Sequence, residues 1–330
     1  MSKPRCTVGL LTWNAGDDGP ACAASLLAQT ESPLEIDWLD NGSDDGTPER
    51  LGARFEALPE PWILPANVGF CAGHNRMLAR CRTDYYLALN QDVVLSADYA
   101  RRLCDWLDEN RSLGMVSGLI LRGRPGADKE ALYSAGLVWP RARFPFELGN
   151  GRPPRPDELG RRQVPGVTGA ALMLRVSACR LASDPEGEVF PADFFAYHEE
   201  VDLALRMART GWTCGVEGAA KAWHAGQGSG GLRRRRIRAA YFANHWLLTL
   251  RHEPWSMIAR ELAWIARGEL VYWLPRYARS PIASAWGAWG AARRARAARR
   301  FYHRFEARHG PSADSVAALK ARSRELLRRS

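Results

Sequence analysis

Along the first half of the chain, short apolar runs alternate with stretches whose apolar residues recur at helical spacing. CTVGLLTW (6–13), LEIDWL (34–39), PWIL (61–64) and DYYLALN (84–90) read as strands. Residues 20–29, 48–57 and 71–81 read as the helices between them. Such alternation predicts an α/β fold with a parallel sheet, whose ligands gather beyond the carboxyl ends of the strands. VPGVTGAALMLRVSA (164–178) predicts a further buried strand running into a helix. EEVDLALRMARTG (199–211) predicts a helix. Its first-turn acids face the positive end of the helix dipole, Asp202 and Arg206 stand four apart, and Gly211 suits the position after its end. Residues 122–165 break the pattern. Gly, Pro and Arg crowd RGRPGADKE and GNGRPPRPDELGRR, which predicts a mobile excursion over the surface. Beyond Gly231 strand-like segments cease, no tandem repeat is visible, and a helical extension is expected over 232–330.

Composition narrows the class. The 330 residues are 46% hydrophobic, enough for one large or two modest cores, and this excludes disorder as the main state. No uncharged apolar run reaches the roughly 18 residues of a membrane span. The N-terminal MSKPRCTVGLLTWN reads as a first strand, because its apolar run is short and no small-residue cleavage site follows. Seven scattered cysteines with no C-x-x-C pair argue against disulfides or a zinc knuckle, and fit buried thiols in a reducing cytoplasm. The formal charge of +10 is uneven. Residues 1–231 hold 24 Lys/Arg and 30 Asp/Glu, a net of −6, whereas 232–330 hold 22 and 6, a net of +16. A mildly acidic body with a strongly basic tail points to an anionic partner, either nucleic acid or a membrane surface.

Four polar clusters carry the candidate chemistry. DNGSDDGT (40–47) follows a strand, with Gly42 and Gly46 permitting a tight turn and Asp40 able to accept from a base or ribose; it also reads simply as a polar turn. It is no G-x-G-x-x-G fingerprint, which argues against a dinucleotide dehydrogenase. NVGFCAGHN (67–75) puts two glycines at a helix start, where backbone N–H groups can approach a phosphate; His74 reads as packing or capping. Asn90-Gln91-Asp92 ends a strand, where one carboxylate suits a divalent cation on a diphosphate but needs further ligands, His224 being a candidate. Tyr197-His198-Glu199-Glu200-Val201-Asp202 places three carboxylates at a helix start, where at most one of Glu199 and Glu200 can point at substrate.

In this order the blocks DNGSxDGT, NxGFxxGxN, strand-NxD, GxxGAxxxxR, FFxYxEExDLxxR and WH resemble family 2 glycosyltransferases of the GT-A fold. The likeness covers residues 6–231 and is nearest to the rhamnosyltransferase-like members that build bacterial surface polysaccharides. It implies a Rossmann-like nucleotide-diphospho-sugar transferase domain over 1–231, followed by the helical extension. By resemblance, Asp40 with Thr12, Trp13 and Asn14, helped by Asp44, frames the nucleotide base and ribose, Asn67, Gly69 and Gly73 line the diphosphate and ribose, and Asn41 and Asn90 belong to the donor-binding set. Asp92 matches the last carboxylate of the family's D-x-D motif and would bind Mg²⁺ or Mn²⁺; Asn90 stands at the motif's first position, and His224 matches a histidine that completes the metal shell in some relatives. Gly169 and Ala170 fall on the acceptor side. Relatives usually show Glu-Asp-x-Asp where this chain has Glu199-Glu200-Val201-Asp202, so Glu200 takes the place of the catalytic base with one more methylene, and Glu199 is the fallback.

The implied activity is an inverting transfer of a sugar, first of all L-rhamnose from dTDP-rhamnose, to a hydroxyl of a saccharide or lipid-linked acceptor. UDP-hexose donors are the alternative within the same fold. A sugar nucleotidyltransferase would want a Gly-rich, Arg/Lys-containing signature near the N-terminus, and LLTWNAGDDG has none. A nucleic-acid-binding role is opposed by the acidic body and by a tail that resembles no known reading module. The tail is expected either to pack on the body or to dock on the inner face of the plasma membrane. For docking, its arginines would be interleaved with Trp246, Trp255, Trp264, Trp273, Trp286 and Trp289.

Overall fold

Three parallel strands bring their carboxyl ends to one line: β1 (Cys6–Thr12), β2 (Glu35–Asp40) and β4 (Tyr85–Asn90). Thr12 is in register with Asp40, and Leu11 with Asn90. The helices α1 (Asp18–Leu27), α2 (Thr47–Arg54) and α3 (Phe70–Arg80) make the crossovers, and β3 (Trp62–Ile63) extends the sheet beyond β2. This computed structural model describes residues 3–31, 33–126, 130–226 and 235–329. The expected domain boundary at residue 231, most of the Gly-rich stretch before it and Arg233–Arg234 lie outside them.

The remaining strands are β5 (Val93–Leu95), β6 (Leu113–Arg122), β7 (Leu132–Ser134), β8 (Leu137–Val138), β9 (Phe146–Glu147), β10 (Arg161–Val164), β11 (Ala171–Arg175) and β12 (Thr213–His224). They enlarge the sheet to the order β10-β12-β6-β11-β4-β1-β2-β3, with β5 against β12 and β7 against β6; β8 and β9 pair separately. The expected parallel sheet is therefore mixed, because β11 runs antiparallel to both β4 and β6. A strand reversed in the middle of the sheet leaves no trace in hydrophobic pattern, since both faces are covered either way. Alternate residues feed two cores: Tyr85, Leu87 and Leu89 of β4 join Val8 and Leu10 on one face, while Tyr86 and Ala88 join Met115 and Leu119 on the other. The helices α4 (Tyr99–Glu109), α5 (Val176–Ala182) and α6 (Glu199–Arg209) complete the layers over the sheet.

The segment expected to wander over the surface is instead built in, apart from residues 127–129, which lie outside the described residues. Leu132, Ala135, Leu137, Val138, Trp139 and Leu148 are buried in one of the main cores. Gly136 and Gly149 take positive φ at its turns, so the glycine that signalled mobility instead permits sharp reversals.

The C-terminal residues form helices α7 (Arg235–His252), α8 (Trp255–Arg260), α9 (Leu262–Gly268), α10 (Leu274–Ala278), α11 (Pro281–His309) and α12 (Ala313–Arg329), with a π turn over Glu269–Trp273. They pack on the body. Asp202 of α6 accepts from Arg206 (2.8 Å), Arg251 (2.7 Å) and His252 (2.8 Å) in a fully buried cluster. A second buried cluster joins Arg143 of the body to Glu253 and Glu261, both also bound by Lys320 of α12. Trp273, expected among the membrane-facing tryptophans, is buried and stacks on His245 at 3.8 Å between ring centroids. All seven cysteines are free and buried.

Candidate active site

A cleft of about 480 Å³ opens where the carboxyl ends of β1, β2 and β4 meet the start of β11 and the end of β12. Of the residues singled out in the sequence, Trp13, Asn41, Asn67, Gly69, Asn90, Asp92, Gly169, Ala170, Glu199, Glu200 and His224 line it. The sheet accounts for this. The Asn90 N–H donates to Ala170 O (3.1 Å), which brings the residues before β11 to the end of β4. Pairing of His224 with Val93 carries the end of β12 to the turn that holds Asp92.

The other six expected residues do not line the cleft. Asp40 is fully buried: its carboxylate accepts from Thr12 Oγ1 (2.8 Å), Ser43 N (2.8 Å) and Ser43 Oγ (2.7 Å), so it braces the turn. Thr12 is buried too and also receives Trp38 Nε1 (3.0 Å). Asn14 and Asp44 bond each other at the surface. Gly73 permits helix packing, since a Cβ there would sit 2.8 Å from Leu11. Asp202, expected near catalysis, faces away from the cleft into the cluster with the C-terminal helices; at helical pitch it cannot share the direction of Glu200. His74 packs as expected, buried against the Tyr86 hydroxyl (2.8 Å), and burial pushes its pKa down to about 3.

The loop leading to the acids is strained. Phe195, Tyr197 and His198 all have positive φ, at 66°, 70° and 70°. Asn244 of α7 holds this loop, its Nδ2 donating toward the carbonyls of Phe194 (3.0 Å), Ala196 (3.1 Å) and Tyr197 (2.9 Å). From the other side Cys71 N–H reaches Phe195 O (3.2 Å). Gly69 has φ +91°, and a Cβ there would stand 2.5 Å from that same oxygen, so only glycine lets the loops meet. Asn41 spans the neighbouring loop, accepting from Val68 N (2.8 Å) and donating to Asn67 Oδ1 (3.1 Å).

Glu199 and Glu200 both lie against Gly169. Burial pushes the Glu200 carboxyl up to about 7; burial and then the charge of Glu200 push Glu199 well above the usual range. Glu199 Oε2 is buried with no hydrogen-bond partner. Glu147 of β9, which the sequence did not single out, lines the same cleft. Its Oε2 is likewise buried and unpartnered, and burial, with Glu200 adding to it, pushes its carboxyl up to about 8. Tyr133, His198 and Tyr241 also line the cleft without a sequence signal, coming from the Gly/Pro-rich segment, the strained loop and α7. Gln91 could have been found from its neighbours: its side chain clamps the Trp13 backbone, accepting from N (2.6 Å) and donating to O (2.9 Å).

His224 Nε2 stands 3.1 Å from Asp92 Oδ2, and its buried Nδ1 lacks a partner. Among the described residues no group of three His, Cys, Asp or Glu could hold a metal by itself. One carboxylate and one imidazole still fit a Mg²⁺-like or Mn²⁺-like ion that takes its other ligands from water and substrate phosphates.

Residues 7–180 match the sequence model of glycosyl transferase family 2. The N-acetylglucosaminyl-diphospho-decaprenol L-rhamnosyltransferase of Mycobacterium tuberculosis, in strains CDC 1551 / Oshkosh and ATCC 25618 / H37Rv, is 26% identical over 287 residues, 79% of this chain and 88% of the relative. Among solved structures, the mannosyltransferase PcManGT from Pyrobaculum calidifontis, in complex with GDP-Man and Mn²⁺, superposes with a TM-score of 0.55 at 17% identity, covering 99% of this chain and 86% of that one. S. aureus TarS gives a TM-score of 0.49 at 13% identity, covering 81% of this chain, which spans only 44% of TarS. With the family's sequence model covering more than half of the chain, and the sheet and cleft arranged as described, the protein belongs to glycosyl transferase family 2 and is a transferase with the GT-A fold.

Proposed function

We propose that this enzyme moves L-rhamnose from dTDP-rhamnose, with inversion, to a hydroxyl of a lipid-linked saccharide, and that Glu200 is the base. The observation that carries the chemistry is the pair Glu199–Glu200 held against Gly169 by a strained loop, in the same cleft as the Asp92–His224 pair. The 26% identity to a mycobacterial enzyme named as an L-rhamnosyltransferase acting on a diphospho-decaprenol-linked sugar supports L-rhamnose as the moved sugar and a lipid-linked acceptor. Glu200 takes the proton of the acceptor hydroxyl as that oxygen attacks the anomeric carbon. Asn41 and Gly69, on the cleft wall formed by the loops after β2 and β3, position the nucleotide diphosphate. Asp92 and His224 would hold a divalent cation, which when bound neutralises charge on a departing diphosphate.

The test is Glu200→Gln. Turnover should fall by about a hundredfold or more, with donor affinity by calorimetry nearly unchanged; near-normal turnover would remove Glu200 from the role. A thermal-shift screen of nucleotide sugars with Mg²⁺ or Mn²⁺ tests the donor, since a ligand specific for the native state raises its stability. A shift with UDP-hexoses and none with dTDP-rhamnose would overturn the rhamnose assignment.

A further inference from the structure

The C-terminal helices bury one face and leave another apolar. In α11, Ala283, Gly287 and Ala291 are buried, and a Cβ on Gly287 would lie 2.7 Å from Phe242 of α7. This stripe of small residues lets α7 and α11 approach closely, and it turns Ile282, Trp286 and Trp289 to solvent; Trp289 is 63% exposed. Leu262, Leu270, Val271 and Leu274 are exposed along α9, the π turn and α10, with Leu270 65% exposed. Ordinary surfaces scatter such residues singly; here they follow one another along consecutive elements.

The charge on this stretch has one sign. Between residues 246 and 300 the only acids are Glu253, Glu261 and Glu269. The first two are buried against Arg143 and Lys320, and Glu269 is held by His245 and Tyr277. Arg260, Arg267, Arg279, Arg293, Arg296 and Arg300 are exposed. Arg293 lies over the Trp289 ring at 4.5 Å. Exposed tryptophan and leucine flanked by arginine, with no exposed acid, are complementary to an anionic lipid interface, where indole rings sit at headgroup level and each basic residue adds attraction.

The same elements pack behind the wall of the cleft without lining it. Tyr272, in the π turn beside Leu270 and Val271, stacks on Phe144 (5.0 Å) and meets Phe146 (5.2 Å), whose neighbours Pro145 and Glu147 line the cleft. Tyr241 and Ile237 line it from α7, the helix on which α11 packs. We infer that the exposed face of α9 to α11 is a docking surface for an anionic phospholipid bilayer, placed so that an acceptor held in the bilayer reaches the cleft without leaving the interface. No described helix is long and apolar enough to span a membrane, so the contact is peripheral. The lipid contact is independent of the donor sugar; only its use in presenting an acceptor rests on the function proposed above.

The full chain should float with vesicles of phosphatidylcholine and phosphatidylglycerol in equal parts, and should stay behind with phosphatidylcholine alone. Added salt should weaken the association, as screening requires. Trp286→Glu with Trp289→Glu should reduce anionic-vesicle affinity at least about tenfold; Arg267→Glu with Arg279→Glu should do so with the apolar face intact. Both variants should keep the wild-type melting temperature and nucleotide-sugar affinity, which separates failure of docking from failure of the proposed chemistry. No flotation of the wild type with anionic vesicles overturns the inference. So does a salt-insensitive association, or a self-associated wild type that the tryptophan variant renders monomeric without any lipid effect.

Discussion

Three carboxyl groups with raised affinity for protons face one cleft, and their separate environments assign separate protonation states. Glu200, with its carboxyl near 7, is largely ionised on the alkaline side of neutrality and can accept a proton; Glu147, near 8, is still largely protonated there and can donate a hydrogen bond to a sugar hydroxyl. A base must be deprotonated, so kcat/KM should rise with pH through about 7, the apparent value belonging to the coupled Glu199–Glu200 pair. Activity should then fall as Glu147 ionises near pH 8. Glu147→Gln keeps a donor and should retain activity while losing the alkaline limb; Glu147→Leu should raise the acceptor KM by about tenfold or more, from one lost hydrogen bond. An unchanged pH profile in Glu147→Gln would remove Glu147 from this role. Asp202, only two residues from Glu200, has the opposite character, with its affinity for protons lowered and not raised.

At the scale of elements, Asp202 is the tie between α6 and the C-terminal helices. Burial alone would raise its pKa, but Arg251, Arg206 and His252 prevail and hold it well below the usual carboxylate range. A depressed folded value means that the stability it contributes is present above the ordinary Asp pKa of about 3.9 and is lost as pH falls through the folded value. Asp202→Asn leaves Arg206 and Arg251 buried without their counter-charge, and denaturant unfolding should show a loss of about 3–5 kcal/mol. A loss within about 0.5 kcal/mol, the range of an ordinary surface substitution, would mean that this cluster does not tie the helices together. Its helix signature, Asp202 and Arg206 four apart, is visible in sequence; Arg251 and His252, some fifty positions later, are not, because only packing brings α7 there.

For the whole molecule, the motifs end near His224 while the structure that supports them continues to α12. Asn244 holds the strained loop before Glu199, and Lys320 closes a charge cluster on Arg143 and Glu253. A chain cut at residue 231 keeps every motif yet leaves these buried partners open. It should be recovered insoluble, or as a monomer without cooperative thermal unfolding by circular dichroism. A cut chain that melts cooperatively and binds nucleotide sugar would show that the extension is dispensable for the fold.

The local signals were sufficient for much of the site. Strand runs ending in DNGS and NQD, glycines at 69 and 169, and paired acids at a helix start are short-range patterns, and they identified the strand ends, the loops and the helix on which eleven cleft residues sit. What they could not distinguish was a side chain spent inside the protein from one offered to a ligand. Asp40 and Asp202 read like Asp92 and Glu200 in the string of letters, yet only the latter two line the cleft, while Ser43 and Arg251 donate to the former because turns and packed helices put donors there. Nor could they show that a Gly/Pro-rich segment delivers Glu147 to the cleft, or that a small-residue stripe on α11 turns Trp289 outward while Trp273 is buried. Propensity and periodicity act over a few residues and determined which elements form. Which side chains meet is set by close packing between residues distant in the chain, and that was decided only in the tertiary structure.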